Sequence, residues 1–302
     1  MNNRITENIS RTNFTERISA QRSRLSLLQE YLATNKRINR PSDDPGGAEV
    51  VLNLKTSLEE IEQFKRNTNV ANQKLLATDD SLNNYENILE RLRTLVSQGL
   101  SDTTTQSAKN SLATEVEALR GRVLNLANSK YDSEYLFGGT RQNAPPFDLT
   151  TAVSNPNPAT ASFVQIEPGA NAIAVTVTAE NLFSDATSTI FNDLDAAAAA
   201  LRGTGNPATD RTTLESAMDR LSIYRDMAVV AHAKVGANMR ITEMVEDRLG
   251  NDSLSINTRI SEIEDIDFAE TALALAETQK SLDAILQTAA NSGRRSLFDF
   301  LG

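Results

Sequence analysis

His232 is the single histidine of the chain, and there is no cysteine and no tryptophan. Any hydrolytic triad or multi-ligand metal site must therefore be built around one imidazole, with no thiol nucleophile, zinc-thiolate centre or disulfide to draw on. His232 stands among Val230, Ala231 and Ala233 in a helical pattern, the setting of a packed or half-exposed helix residue. Carboxylates are the remaining candidates. Asp43-Asp44 has the residue type of a cation loop, but no further carboxylate follows at calcium-loop spacing, and turn and capping chemistry explains the pair. Glu262, Glu264, Asp265 and Asp267 have the residue type of a paired acid-base site. Helical spacing turns them to several sides, which predicts a solvated face or an inter-subunit salt-bridge surface. Gly46-Gly47 and Gly138-Gly139 lack the lysine and the spacing of a phosphate loop. The expectation is a non-enzymatic chain with no catalytic residue, no cofactor and no metal.

The elements that would carry these residues are long helices. Aromatics make up 5% of the 302 residues and Gly plus Pro only 13 and 8 positions, which favours narrow helical seams over a thick core. From Ile61, small or apolar residues fall at Phe64, Thr68, Ala71, Leu75, Thr78, Leu82, Tyr85, Leu89, Leu92 and Val96 in steps of three and four. Gly99 and the run Ser101 to Thr105 then predict a helix end and a turn. A third helix through Leu112, Val116, Leu119, Val123 and Leu126 is expected to fold back on the second and to stop near Tyr135-Leu136-Phe137-Gly138-Gly139. Between Thr140 and about Asp185 the prolines at 145, 146, 156, 158 and 168 exclude long helices. There Ile173, Val175 and Val177 alternate as in a strand, and Phe163 to Ile166 reads as a shorter one. Helix resumes near Ser188 and breaks at Gly203-Thr204-Gly205-Asn206-Pro207. A second seam runs through Leu214, Ala217, Leu221, Tyr224, Ala228, Ala231, Val235, Asn238, Thr242, Val245 and Leu249, with a local break expected at Gly250-Asn251-Asp252.

The fold expectation is thus a mainly α chain, an elongated coiled-coil or helical-bundle rod with N- and C-terminal helices paired and a small β-rich insertion. Its parts are residues 1–40 with 264–302 as terminal segments, 41–139 with 188–263 as the rod, and 140–187 as the insertion. Ile18, Leu25, Leu28 and Leu32 at one end, and Phe268, Leu275, Leu282 and Ile285 at the other, form sparse stripes. Such stripes hold too little apolar surface to order an isolated helix, so they are the expected assembly interface. The net charge of −10 argues against nucleic acid. Residues 1–40 nevertheless carry Arg4, Arg11, Arg17, Arg22, Arg24, Lys36, Arg37 and Arg40 against Glu7, Glu16 and Glu30, a solvated or subunit-contacting face. No segment approaches the ~20 apolar residues of a membrane span, and Met1 to Glu7 lacks the apolar core of a secretory signal, so physics alone places the chain in the cytoplasm.

The most specific string is Asn35 to Ala48, with Arg37, Asn39, Arg40, Pro41, Asp43, Asp44 and Pro45 as hinge and loop residues. A helix ending near Ile38 meets Pro41, Ser42 and Asp43 can cap the next helix, and Pro45 suits its first turn. This wording resembles the loop after the first helix of the flagellin superfamily, nearest to its hook-associated branch. Tyr135 to Thr140, Val235 to Arg240, Arg259 to Glu270 and Ser296 to Gly302 are similar to further motifs of that family in the same order, with Asn238 where arginine is expected. The resemblance implies a structural part of the bacterial flagellum that joins hook to filament; a bulk filament subunit and, from another class, a cytoplasmic signalling or scaffold coiled coil are the alternatives. It also implies export without a cleaved signal through the flagellar type III channel to an extracellular position. The implied partners are a ring of its own copies, a hook-associated protein on the hook side, flagellin on the filament side and a cytoplasmic export chaperone.

Overall fold

Helix punctuation sets the element order. The computed structural model describes the backbone of residues 2–149, 151–152, 160–169, 172–185 and 187–301, and side chains among these between 12 and 290. The helices are α1 (Asn2–Thr34), α2 (Pro45–Leu100), α3 (Gln106–Ala127), α4 (Glu180–Phe183), α5 (Ile190–Arg202), α6 (Pro207–Glu264) and α7 (Phe268–Leu301). Among the described residues, strands β1 (Lys130–Tyr131), β2 (Glu134–Tyr135), β3 (Phe163–Val164) and β4 (Ile173–Ala174) form two antiparallel pairs. The chain is mainly α, as the seams predict, with α1 packed on α7. Pro156, Pro158 and the side chains of the Ser296 to Gly302 ending lie outside the described residues. Two compact units are present, Met1–Glu60 with Asp252–Gly302, and Ile61–Asn251, and α2 and α6 each contribute residues to both.

In the second unit the three-four rhythm becomes one buried cluster. Leu75, Leu82, Tyr85, Leu89 and Leu92 of α2 join Leu214, Leu221, Tyr224, Ala228 and Val235 of α6, with Val116 and Val123 of α3 and Leu194 of α5. Each large apolar side chain fully buried in this way contributes about 1.5–3 kcal/mol. Phe183 of α4 meets Tyr85, Phe137 and Phe147 edge-on, with ring centroids at 4.7, 5.6 and 6.0 Å. The buried Tyr85 hydroxyl donates to the Leu182 carbonyl at 3.2 Å, so its polar end is satisfied. Thr68, Thr78 and Thr242 occupy seam positions and are buried, and each hydroxyl donates to a carbonyl of its own helix, at 2.8, 2.8 and 2.7 Å.

Several boundaries differ from the sequence expectation. α1 ends at Thr34 rather than near Ile38, because Asn35 adopts φ 55°, the left-handed conformation that closes helices and that Asn tolerates. α3 ends at Ala127, not near Tyr135 to Gly139. There the Asn128 N–H closes onto the Leu124 carbonyl at 3.2 Å, and β1 and β2 follow around Asp132 and Ser133 with φ 45° and 73°, a turn matched to strand twist. α3 does reverse on α2 through Ser101 to Thr105, and Arg91 bonds Glu115 across the pair at 2.7 Å, but its closest helical neighbour is α5. Gly99 does not end α2; it lies inside it, where a Cβ would stand 2.3 Å from Leu201 Cδ2. No break occurs at Gly250-Asn251-Asp252. The glycine costs about 1 kcal/mol in a helix, and burial of Val245 and Leu249 just before it offsets that.

The insertion is smaller in strand content than its alternation suggests. Phe163 pairs with Ala174 and Val164 with Ile173; beyond them the Val175 N–H donates to the Ser162 carbonyl at 2.9 Å and the Ser162 N–H to the Thr176 hydroxyl at 2.8 Å. Side chains of the long helices hold it: Asn238 donates to the Ala174 carbonyl at 2.8 Å, Asn67 to the Gln165 carbonyl at 3.0 Å, and Arg248 pairs with Glu167 at 3.0 Å. Asn238, the residue that departs from the family motif, thus ties β4 to α6.

Candidate functional site

The first unit contains both interruptions of its helical pattern, residues 35–44 and 265–267, and they meet. Lys36 and Asp265 form an antiparallel bridge. On either side, the Arg37 N–H donates to the Glu264 carbonyl at 2.6 Å and the Ile266 N–H to the Asn35 carbonyl at 3.3 Å. The Arg37 guanidinium adds a bond to the Ile263 carbonyl at 3.0 Å. Glu264, the last residue of α6, is buried, and its Oε1 accepts from Lys36 Nζ at 2.9 Å and Lys55 Nζ at 3.0 Å. Burial alone would push this carboxyl up; the two ammonium groups more than offset that and hold it below the usual range.

Inside the loop the two aspartates divide the work. Asp43 accepts from the backbone N–H groups of Asn39 at 3.2 Å and Arg40 at 2.9 Å, and so closes the loop on itself. Asp44 caps α2 by accepting from the Gly47 N–H at 3.0 Å, with Pro45 at the first helical position. This corrects the expectation that Ser42 and Asp43 cap the next helix: the residue just before Pro45 has the geometry to do so. A Cβ at Gly47 would lie 2.6 Å from Asp44 Oδ2 and 2.7 Å from Ile38 Cδ1, so any larger residue there would have to displace both side chains. Ile38 itself is buried beneath the loop. Asn39 also donates to the Lys36 carbonyl at 3.1 Å, whereas Arg40 pairs with Glu30 at 3.3 Å and, like Pro41, remains exposed.

Of the acidic group at 262–267, Glu262, Asp265 and Asp267 are exposed, and Glu264 alone departs from the expected solvated surface. Glu264 turns inward, Asp265 accepts from the Ser261 hydroxyl at 2.5 Å, and Asp267 caps α7 through the N–H groups of Ala269 at 2.9 Å and Glu270 at 3.1 Å. The last of these roles was readable from Asp267 followed three residues later by Glu270, a capping-box spacing. Glu264 had no local signal, because its two lysines come from distant positions.

The terminal stripes lie on the α1–α7 pair. Ile18, Leu25, Leu28, Leu32, Leu275, Leu282 and Ile285 are half-buried, and Phe268 is 61% exposed. Within α1 from residue 12 onward no side chain is buried, and in α7 up to residue 290 only Thr271 and Thr278 are. Leu27, Leu273 and Leu286 are exposed on the same two helices and fell outside the rhythm that picked the others. The pair thus presents an apolar face that its own chain only half covers.

His232 lies in the second unit between two carboxylates of α2. Its Nε2 is 2.9 Å from Asp79 Oδ1 and its Nδ1 3.0 Å from Glu86 Oε1, and the Glu86 bond leads in raising its pKa above the ordinary value. The carboxylates sit on opposite ring nitrogens, an arrangement that favours the protonated imidazole and does not converge on a metal. Among the described residues no group of three or more His, Asp or Glu is arranged to hold a metal, and no helix is long and apolar enough to cross a membrane. A groove of about 970 Å³ between α6 and residues 172–178 is lined mainly by apolar side chains such as Ile173, Val177, Met227 and Val230.

The chain is similar in sequence and fold to known proteins. The family described as the bacterial flagellin N-terminal helical region matches residues 5–142. Over 290 residues the chain is 26% identical to flagellar hook-associated protein 3 of Salmonella typhimurium, covering 90% of this chain and 91% of that one. It is 27% identical over 192 residues to the flagellar filament 41 kDa core protein of Borreliella burgdorferi, covering 59% and 57%. Among solved structures it is similar to the flagellar junction protein FlgL of Legionella pneumophila, with a TM-score of 0.59, 16% identity, and coverage of 72% of this chain and 100% of that one. The fold is shared as well with FlgL of Xanthomonas campestris, at TM-score 0.60 and 18% identity over 69% and 99%.

Proposed function

We propose that this flagellin-family chain is a structural component of the bacterial flagellum that joins the hook to the filament and presents the first surface on which filament subunits polymerise. The likeness to hook-associated protein 3 along nine-tenths of both chains supports the junction over the bulk filament subunit. The single observation that carries an assembly role is the α1–α7 pair, whose leucines and Ile285 are left half-covered and whose Phe268 points outward. Each such side chain gains roughly 1 kcal/mol when a neighbouring subunit completes its burial.

In this reading Ile18, Leu25, Leu28, Leu32, Phe268, Leu275, Leu282 and Ile285 contact other copies in a ring, and Arg37, Arg40, Asp43 and Asp44 serve subunit contacts and turn geometry. Residues 1–40 and 264–302 order into an inner tube as neighbours dock, while 41–139 with 188–263 and the insertion at 140–187 fold beforehand. A hook-associated protein lies on one side and flagellin on the other. The chain travels through the flagellar exporter, escorted in the cytoplasm by a chaperone, and works outside the cell. Deletion tests this: loss of the gene should leave hooks intact while filament subunits leak into the medium. Filaments that still grow on those hooks would overturn the junction role, and filament loss with no leakage would point to the bulk subunit.

A further inference from the structure

We propose that the contact between residues 35–37 and 263–266 is a self-standing clasp that stays closed while α1 and α7 open, so that the two terminal helices are rooted as a pair at Glu264. The proposal narrows the junction reading, keeping residues 35–37 and 264–266 closed before neighbours dock and leaving only the helices beyond them to order on assembly, and it holds or fails in the isolated chain, whatever that chain assembles with.

Three observations carry it. Lys36 and Glu264 are 228 positions apart in sequence. Bringing them together closes a long loop, after which helices rooted there can pair locally, as in a hairpin. The contact is also dense for its length: two backbone bonds flank the Lys36–Asp265 bridge, Arg37 adds a third bond to the Ile263 carbonyl, and Lys36 and Lys55 converge on one carboxylate oxygen. Among the described residues Glu264 is the one charged side chain that is buried, and Ile38 and Val51 are the buried apolar residues of the same unit. The helices beyond the clasp have no comparable support, since α1 buries no side chain from residue 12 onward and α7 only two threonines. Local opening follows buried contacts, so the helices should open at lower free energy than their root.

Glu264 is the keystone because it joins three segments: the α1–α2 loop through Lys36, α2 through Lys55, and the end of α6 that carries it. Glu264→Gln keeps its shape and removes the charge that both ammonium groups need. The experiment is residue-resolved amide exchange on the full chain in solution. The Arg37 and Ile266 amides should exchange at least about ten-fold more slowly than those of residues 14–28, and E264Q should abolish that gap while leaving the amides around Leu89 and Leu221 unchanged. Equal protection of α1 and the clasp would overturn the proposal, as would E264Q leaving the gap intact. General damage by E264Q is separated from clasp loss by a cross-link. The two flanking bonds make Lys36 and Asp265 a non-hydrogen-bonded antiparallel pair, whose close Cα atoms suit a disulfide. With no native cysteine, K36C/D265C would be the only thiols present. Oxidising them in the E264Q background should restore slow exchange at Arg37 and Ile266, and failure to do so overturns the role given to Glu264.

Discussion

Removing the proton held by His232 should loosen the second unit by an amount that follows from its two contacts. A neutral imidazole carries one N–H, so either Asp79 at 2.9 Å or Glu86 at 3.0 Å must then face a ring lone pair. A hydrogen bond to a charged group contributes about 1.5–3 kcal/mol. The three side chains are each 27–30% exposed, and solvent screening reduces the loss to about 1 kcal/mol. Because the folded state raises this pKa above 6.5, the stabilisation is fully present below that value and is lost as pH rises through the folded pKa. For a unit of this size about 1 kcal/mol is about 2–4 °C in Tm. Scanning calorimetry of the wild type and His232→Gln from about pH 5.5 to about pH 9 isolates the effect, since the difference in Tm between them should shrink by that amount. A difference that stays constant over the range refutes the reasoning, and so does a His232 ring that titrates by NMR at or below 6.5.

Other outcomes are equally definite. Gly99→Ala should destabilise the second unit by about 1–3 kcal/mol in chemical denaturation, because its methyl group would have to displace Leu201. Asp44→Ala should cost about 1 kcal/mol through loss of the α2 cap, while Ser42→Ala should stay within about 0.5 kcal/mol; the reverse order would mean that the cap is misassigned. Replacing Leu275 and Leu282 together by Asp should leave the melting of the second unit unchanged and abolish incorporation into flagella, scored by electron microscopy of a complemented deletion strain.

The long-range pattern was legible because a seam repeats one signal many times. Ten seam positions from Ile61 to Val96 are buried, with Phe64 half-buried, so errors at single residues do not matter. Helix ends were less legible, since each depends on one or two residues. Asn35 adopts its left-handed turn three residues before Ile38, and Asn128 stops α3 well before the glycines that looked like its end. The loop was found at once from its wording, yet the division of roles between Asp43 and Asp44 appeared only in their bonds, Asp44 forward to the Gly47 N–H and Asp43 back to those of Asn39 and Arg40. Glu264 stayed hidden because its partners Lys36 and Lys55 are more than two hundred positions away, and no local periodicity encodes such a meeting. Asn238 is the opposite case: its departure from the motif was visible, but its bond to the Ala174 carbonyl was not.

The seam threonines set how α2 and α6 bear on one another in the second unit. Thr68, Thr78 and Thr242 spend their hydroxyls on carbonyls of their own helices and so meet the opposite surface only through their apolar atoms. Register there rests first on the large apolar side chains of both helices that interdigitate in the buried cluster. Directional contacts such as His232 between Asp79 and Glu86 add to that choice, in the manner of a detent. Replacing a seam threonine with valine would leave that detent in place, whereas moving the histidine by one turn would relocate it.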